Sequence, residues 1–308
     1  MRLRRFTGRS MGSALRLAVA GGSTTDAGLA WEAARREMAE TDAELSRFQA
    51  TSALSAANRL SGSGAWFPAP SRLRRMLVAS HRAMRVSGGR FDPRVVEALE
   101  AIGEHAGVDL PDRRAAGGWL ERDARSPRFR MAAPADSGGI GKGLGLRWAL
   151  AAARAAVPGR VGLLLDAGGD VAASGPGPDG LAWSVGIEDP VRPERVLATV
   201  ALRDAAIATS SIAHRRWTHA GRSVHHLIDP RTGLPAETGL VSVTVALGDP
   251  AWAEVWTKSL FLAGRHDIGQ EARARNLAAW WLEEDGSLHL TPAARQLTTW
   301  VASEASAA

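Results

Sequence analysis

No cysteine occurs anywhere in the 308 residues of the chain. That excludes a disulfide framework and a thiolate-held metal, so any metal ion would have to be bound through oxygen or nitrogen. Long apolar runs are missing as well. The longest candidates are interrupted by Arg, Asp or Gly, and none reaches the roughly 20 residues needed to cross a bilayer. The opening stretch, MRLRRFTGRSMGSALRLAVAGG, is basic, its short apolar run is broken by Arg16, and no Cys follows that could carry a lipid. With neither a signal peptide nor a lipobox in view, the expectation is a soluble, cytoplasmic chain without stable membrane insertion. Tyrosine is absent beside 11 tryptophans, a bias that carries no functional reading. Lysine is nearly absent, Lys142 and Lys258 being the only two. The formal charge of +6 therefore comes from arginine, which is scattered along the chain rather than massed in the block that would mark a nucleic-acid binder. Such a surface still attracts an anionic dinucleotide or an acidic partner.

At 45% hydrophobic residues, a chain of this length can bury a sizeable core. One domain is expected over residues 1–300, undivided or built from two subdomains with a cleft between them, followed by a disordered tail over 301–308. Ser13–Ala20 reads as a strand. Residues 25–48 read as a long amphipathic helix with Ala30, Ala33, Ala34, Met38, Leu45 and Phe48 near helical spacing. Ser71–Val86 reads as a second helix, ended by Gly88 and Gly89. The segment from Pro111 to Ser137 reads as a connection with a short strand, and a third helix is expected over Gly143–Val157. Further strands are expected at Val161–Leu165, Ala182–Ile187, Val196–Ala201, Ala205–Thr209, Val224–Leu227 and Leu240–Ala246, with a helix at Ala251–Ala263. Strands in runs with helices grouped around them point to an α+β fold.

Four short segments could carry chemistry. Asp136-Ser-Gly138-Gly139-Ile140-Gly141-Lys142-Gly143 precedes a helix, where glycines and the helix N-terminus could receive phosphate. The spacing is neither a P-loop nor a dinucleotide fingerprint, and a turn that only permits tight packing explains the glycines equally well. Gly168-Gly169-Asp170 follows a strand, where a ligand could approach the backbone or a hairpin could simply turn. His226-Leu-Ile-Asp229-Pro230-Arg231-Thr232-Gly233 places His and Asp on a stiff corner suited to proton transfer. Four of the eight histidines lie between His214 and His226, but at no metal-binding helix spacing. Finally, Glu254 and Lys258 stand four apart on a helix, the spacing of a surface ion pair, although a carboxylate there could also be a hard ligand for magnesium or calcium.

In order, these segments resemble the ApbE family of FAD:protein FMN transferases. Met11-Gly-Ser is similar to the family's Met-Gly-Thr. Ser46-x-Phe48-x-x-x-Ser52-x-Leu54-Ser55-x-x-Asn58 follows Ser-x-Tyr-x-x-x-Ser-x-Ile-Ser-x-x-Asn, with Phe48 and Leu54 in place of Tyr and Ile. Phe91-Asp92, the Asp136–Gly143 run, Gly168–Asp170, Ala208-Thr-Ser210 and His226–Gly233 match further motifs in sequence. The resemblance implies a T-fold-related mixed sheet with helices packed on it and a smaller helical or irregular subregion. It implies an FAD site drawing on Met11, Ser46, Phe48, Ser55, Asn58, Phe91, Asp92, Gly138, Gly139, Ile140, Lys142, Gly143, Gly169, Asp170, Ser210 and Thr232. It further implies His226 and Asp229 as the catalytic pair, and transfer of FMN from FAD to a Thr or Ser of an acceptor flavoprotein with Mg2+ or Ca2+ assisting. Binding of FAD without transfer, or its hydrolysis to FMN and AMP, are the other activities such a site could have. The family's metal is held by a backbone carbonyl, here that of Gly141, and by the carboxylate and hydroxyl of Ala-Asp-Ala-x-x-Thr. Here Glu254 and Lys258 take the last two positions, so an ammonium would repel the ion or occupy part of its place and meet the pyrophosphate directly. Arg147 stands where the family often has an acid.

Overall fold

The computed structural model of the chain describes residues 1–105, 118–302 and 305–307. It divides into two compact units. The first comprises Met1–Met38, Lys142–Arg216 and Glu237–Ala308, and the second Ala39–Gly141 and Trp217–Ala236.

A nine-stranded sheet forms the frame of the first unit, and its strands lie side by side in the order in which the chain makes them. They are Leu3–Ser10, Ser13–Ala20, Gly162–Ala167, Asp170–Ser174, Ala206–Ser211, Leu240–Leu247, Ala278–Glu283, Leu288–Leu290 and Ala305–Ala307. Neighbours are antiparallel except the last pair, which is parallel. Alternation along each strand sends its residues to opposite faces. One face, with Leu15, Leu17, Val19, Leu163 and Leu165, packs on Ala27, Ala30, Ala34 and Met38 of helix Thr24–Leu45 and on Leu146, Ala149 and Ala153 of helix Gly141–Ala155. The opposite face, with Val171, Ala173, Ile207 and Trp280, meets a second sheet ordered Thr298–Val301, Val196–Leu202, Trp183–Glu188. Each fully buried Leu or Val on these faces contributes about 1.5–3 kcal/mol of transfer free energy.

The second unit is smaller and less regular. Helices Ala53–Leu60, Ser71–Val86 and Val96–Ala101 accompany a three-stranded sheet of Phe67–Pro68, Arg128–Met131 and Leu120–Arg122. Two short hairpins, Arg216–His219 with Arg222–His225 and Ile228–Asp229 with Leu234–Pro235, complete it. Its small apolar core joins Leu99 and Ile102 to Val224 and Ile228, and the Trp217 indole N–H donates to the Ile102 carbonyl at 2.7 Å.

The α+β architecture is the one the sequence suggests, and Ser13–Ala20 and Ser71–Val86 have the bounds read from it. The long helix stops at Leu45, because Ser46 and Ser52 open a new capped helix at Ala53. Strand Ala278–Glu283 escaped a period-2 reading because five of its six residues are buried, leaving no alternation to see. Residues 111–117 of the connection from Pro111 to Ser137, and 303, 304 and 308 of the tail, lie outside the described residues. Within that tail Val301 ends a strand and Ala305–Ala307 forms another. Among the described residues no helix is long and apolar enough to cross a membrane.

Gly162 opens a central strand at a place where a Cβ would lie 1.7 Å from the Pro176 carbonyl oxygen. Gly162→Ala is expected to cost at least about 1–3 kcal/mol, read as a lower urea midpoint with an unchanged slope. An unchanged midpoint would contradict this packing.

Candidate active site

In the first unit, six of the residues singled out from the sequence come together. Lys142 and Gly143 start the helix Gly141–Ala155, Asp170 begins its strand after the Gly168–Gly169 hairpin turn, and Ser210 lies on the strand Ala206–Ser211. Glu254 and Lys258 come from helix Pro250–Phe261. That helix can approach only because residue 143 is glycine: a Cβ there would be 2.5 Å from both the Ala251 Cα and the Pro250 carbonyl oxygen. The approach lets Glu254 Oε2 accept the Gly143 N–H at 2.8 Å, so a carboxylate from another helix caps an otherwise unpaired amide at a helix N-terminus. Glu254 Oε1 faces Lys258 Nζ at 3.4 Å. Asp170 accepts from Lys142 Nζ through Oδ2 and from the Thr209 N–H through Oδ1 at 3.0 Å. The Ser210 hydroxyl lies 2.7 Å from that of Thr257, which donates to the Glu254 carbonyl at 2.7 Å.

The Glu254–Lys258 pair is thus no surface pair, since the glutamate side chain is 2% exposed and the lysine 17%. Burial pushes the Glu254 carboxyl above the usual carboxylate range, while the Lys258 and Lys142 ammonium groups and the Gly143 N–H pull it back. For Lys142, burial alone would lower the pKa, but Asp170 and then Glu254 outweigh it and hold the ammonium above its ordinary value. Arg147 has its own partner: it grips Asp249, the N-cap of helix Pro250–Phe261, with its Nη2 2.6 Å from both oxygens. Met11 sits in the tight turn between the first two strands with φ +49°, a left-handed conformation that is costly for a side-chain-bearing residue. Gly168 of the second turn packs against Ser13, and its N–H donates to the Ala14 carbonyl at 2.9 Å.

In the second unit Ser52, Ser55 and Asn58 hydrogen-bond to backbone groups. Ser52 caps helix Ala53–Leu60 by accepting the Ser55 N–H at 2.9 Å and donates to the Ser46 carbonyl at 2.6 Å. Ser55 and Asn58 are fully buried. Asn58 pairs with both backbone groups of Ala135 at 2.9 Å, and Ser55 donates to the Arg47 carbonyl at 3.3 Å. Phe48 is exposed and carries the Arg47 guanidinium 4.2 Å above its ring. Arg47, which the sequence reading passed over, is 1% exposed and bridges Asp136 and Glu104, each at 2.8 Å. Asp136 also accepts the Gly138 N–H at 2.9 Å, while the Ser137 carbonyl accepts from Ile140 at 3.0 Å and Gly141 at 2.6 Å, folding the glycine turn.

Two Asp-Pro-Arg tripeptides, a repeat visible in the sequence and unread there, adopt one geometry. Asp92 and Asp229 each accept the N–H two residues on at 2.9 Å, and each is gripped by the following arginine's Nε and Nη2. The Arg231 fork holds the Asp229 carboxyl below the usual carboxylate range against the effect of burial. The Asp229 carbonyl accepts from Thr232 at 3.2 Å and Gly233 at 2.8 Å, closing the corner that follows half-buried His226. Phe91 is buried, and its N–H donates to Ser87 Oγ at 3.0 Å. Both corners line one cavity of roughly 310 Å³, with Asp92, Arg94, Trp119, Ile228, Pro230 and Gly233 on its wall.

Magnesium and calcium take hard oxygen ligands, yet both oxygens of Glu254 are engaged, and both of Asp170. The hydroxyl position carries an ammonium. These residues do not fit Mg2+ or Ca2+, and among the described residues no group of three or more His, Asp or Glu side chains is gathered that could hold a metal.

A buried acid–lysine cluster beside a meandering antiparallel sheet places the protein in a class of mixed-sheet α+β folds with solved relatives. It is similar to the ApbE protein of Thermotoga maritima at a TM-score of 0.87 and 22% identity, covering 97% of this chain and 100% of that one. It is likewise similar to the flavinyl transferase ApbE of Pseudomonas stutzeri at 0.82 and 24%, covering 98% of each. The model of the ApbE family matches residues 11–281, and the chain belongs to that family. Among curated relatives, the FAD:protein FMN transferase of Rhodobacter capsulatus is 30% identical over 257 residues, 79% of this chain and 48% of that protein. The FAD:protein FMN transferase of Escherichia coli K12 is 31% identical over 142 residues, 46% of this chain and 40% of that protein. The matched stretch thus spans less than half the length of these curated relatives.

Removing Arg47 would leave two carboxylates without their shared partner in a buried site. Arg47→Ala is expected to cost about 3–5 kcal/mol, and Arg47→Lys to recover little of it, because one ammonium cannot serve both acids as the fork does. Thermal or urea unfolding of both variants checks this, and wild-type stability for Arg47→Ala would refute it.

Proposed function

We propose that this protein transfers FMN from FAD to a Thr or Ser hydroxyl of an acceptor flavoprotein. In that reaction the acceptor oxygen forms a bond to the FMN phosphorus, the bond from that phosphorus to the AMP oxygen breaks, and AMP leaves with the electron pair. The hydroxyl proton goes to His226. The observation that carries the reading is the pinned corner behind His226, where the Asp229 carboxylate, the Arg231 fork and the Thr232 and Gly233 amides leave the backbone little freedom. Rigid placement is what a general base needs, and imidazole titrates in the range where it can accept that proton. Asp229 takes a positioning part in this scheme, since its carboxylate is held by Arg231. The cavity between the two Asp-Pro-Arg corners, walled by the Trp119 ring and flanked by Arg94, suits a planar ring system with an anionic tail. Membership of the ApbE family and the names of the curated relatives favour FMN transfer over simple FAD binding.

Incubation of the purified protein with FAD and a candidate acceptor separates the activities. FMN fluorescence on the denatured acceptor supports transfer, free FMN with AMP indicates hydrolysis, and unchanged FAD indicates a binder. His226→Ala is expected to lose about 10²–10⁴-fold in transfer rate while still quenching its tryptophan fluorescence on FAD addition. Transfer at the wild-type rate would remove His226 from the base role.

A further inference from the structure

The chain holds 38 basic residues counted as Lys and Arg, and only two of them are lysines. Both lie in one cluster. Lys142 pairs with Asp170 and Lys258 with Glu254, and the two acids are 4% and 2% exposed in their side chains. Everywhere else the chain uses arginine, whose guanidinium is a broad planar fork; an ammonium is a compact point charge. A sequence so biased toward arginine keeps lysine at the two places where a small, round cation pairs with a buried carboxylate. Glu254 and Asp170 face the two ammonium groups, and the Arg215 guanidinium adds its field at Lys142. An ion bound to Glu254 Oε1 at the roughly 2.0–2.6 Å of a magnesium or calcium bond would lie no more than about 6 Å from the Lys258 ammonium, which stands 3.4 Å from that oxygen. The other oxygen is committed to the Gly143 N–H at 2.8 Å.

We propose that Lys258 is the resident cation of this site: its ammonium neutralises Glu254 and receives the FAD pyrophosphate, so the protein binds FAD without a divalent metal. This deepens the FAD reading above and rests on it for the ligand. Lys258 suits the part because its side chain is 17% exposed while Glu254 beneath it is nearly sealed, leaving the ammonium an open side for phosphate oxygen. Group specificity follows: the site takes an anion opposite Lys258 and rejects a second cation.

The test begins with the protein alone. Melting temperatures of the FAD-free protein in EDTA, in millimolar Mg2+ and in millimolar Ca2+ are expected to coincide. FAD titrations followed by tryptophan fluorescence are expected to give dissociation constants within about twofold in EDTA and in Mg2+. In Lys258→Thr the FAD affinity in EDTA is expected to fall about tenfold or more and to recover with Mg2+, because removing the ammonium leaves Glu254 in need of a counter-ion. Stabilisation of the FAD-free wild type by Mg2+ or Ca2+ would overturn the proposal, as would FAD binding by the wild type that EDTA abolishes. Absence of FAD binding under every condition would sink the FAD reading instead. The metal titrations of the FAD-free wild type decide the role of Lys258 even then, and also if Lys258→Thr fails to fold.

Discussion

Gly143 donates its backbone N–H to a carboxylate that belongs to a different helix, and the first unit's chemistry is arranged around that bond. It exists only because two helices touch at a residue without a Cβ, and it fixes Glu254 with one oxygen spent. A buried carboxylate held this way is tolerable only if its charge is answered nearby, since an unpaired ion in such surroundings costs several kcal/mol. Lys258 answers it from one turn further along the same helix, and Lys142 adds its field from the neighbouring helix start. Asp170, presented by a hairpin turn of two glycines, answers Lys142. The two ammonium groups favour the charged form of Glu254, and the two carboxylates favour the charged form of Lys142.

The second unit solves a different problem with arginine. Arg47 ties two acids together at the foot of the glycine turn, and in each of two Asp-Pro-Arg corners the arginine grips its own aspartate. Forked guanidinium groups suit this work because they fix orientation as well as charge. Ser52, Ser55 and Asn58 do the remaining fastening through neutral hydrogen bonds to backbone. Arginine also pins acids in the first unit, as at Arg147 and Asp249, but both lysines of the chain lie in that unit.

Periodicity in the sequence marked the elements with one buried face, which is why Ser13–Ala20 and Ser71–Val86 were legible residue by residue. It could not mark Ala278–Glu283, buried on both sides, or the edge strand Leu3–Ser10, where arginines mask the pattern. The site was legible as motifs but not as roles. Ser55 and Asn58 were legible as motif positions, but their hydrogen bonds to the Arg47 and Ala135 backbone were not, because a motif does not record which way a side chain faces. Glu254 and Lys258 showed their spacing in the sequence, yet whether the pair was exposed or buried depended on Gly143, more than 100 positions away. Arg47 could not be distinguished from the other arginines of an arginine-rich chain until its two acids were found beside it.

The account turns on Glu254 and Lys258 being energetically one unit. A double-mutant cycle with Glu254→Gln and Lys258→Met, followed by urea unfolding, measures that directly. Each single change should destabilise the fold and the double variant should recover much of the loss, with a coupling energy above about 1 kcal/mol. Effects that add to within about 0.5 kcal/mol would contradict it.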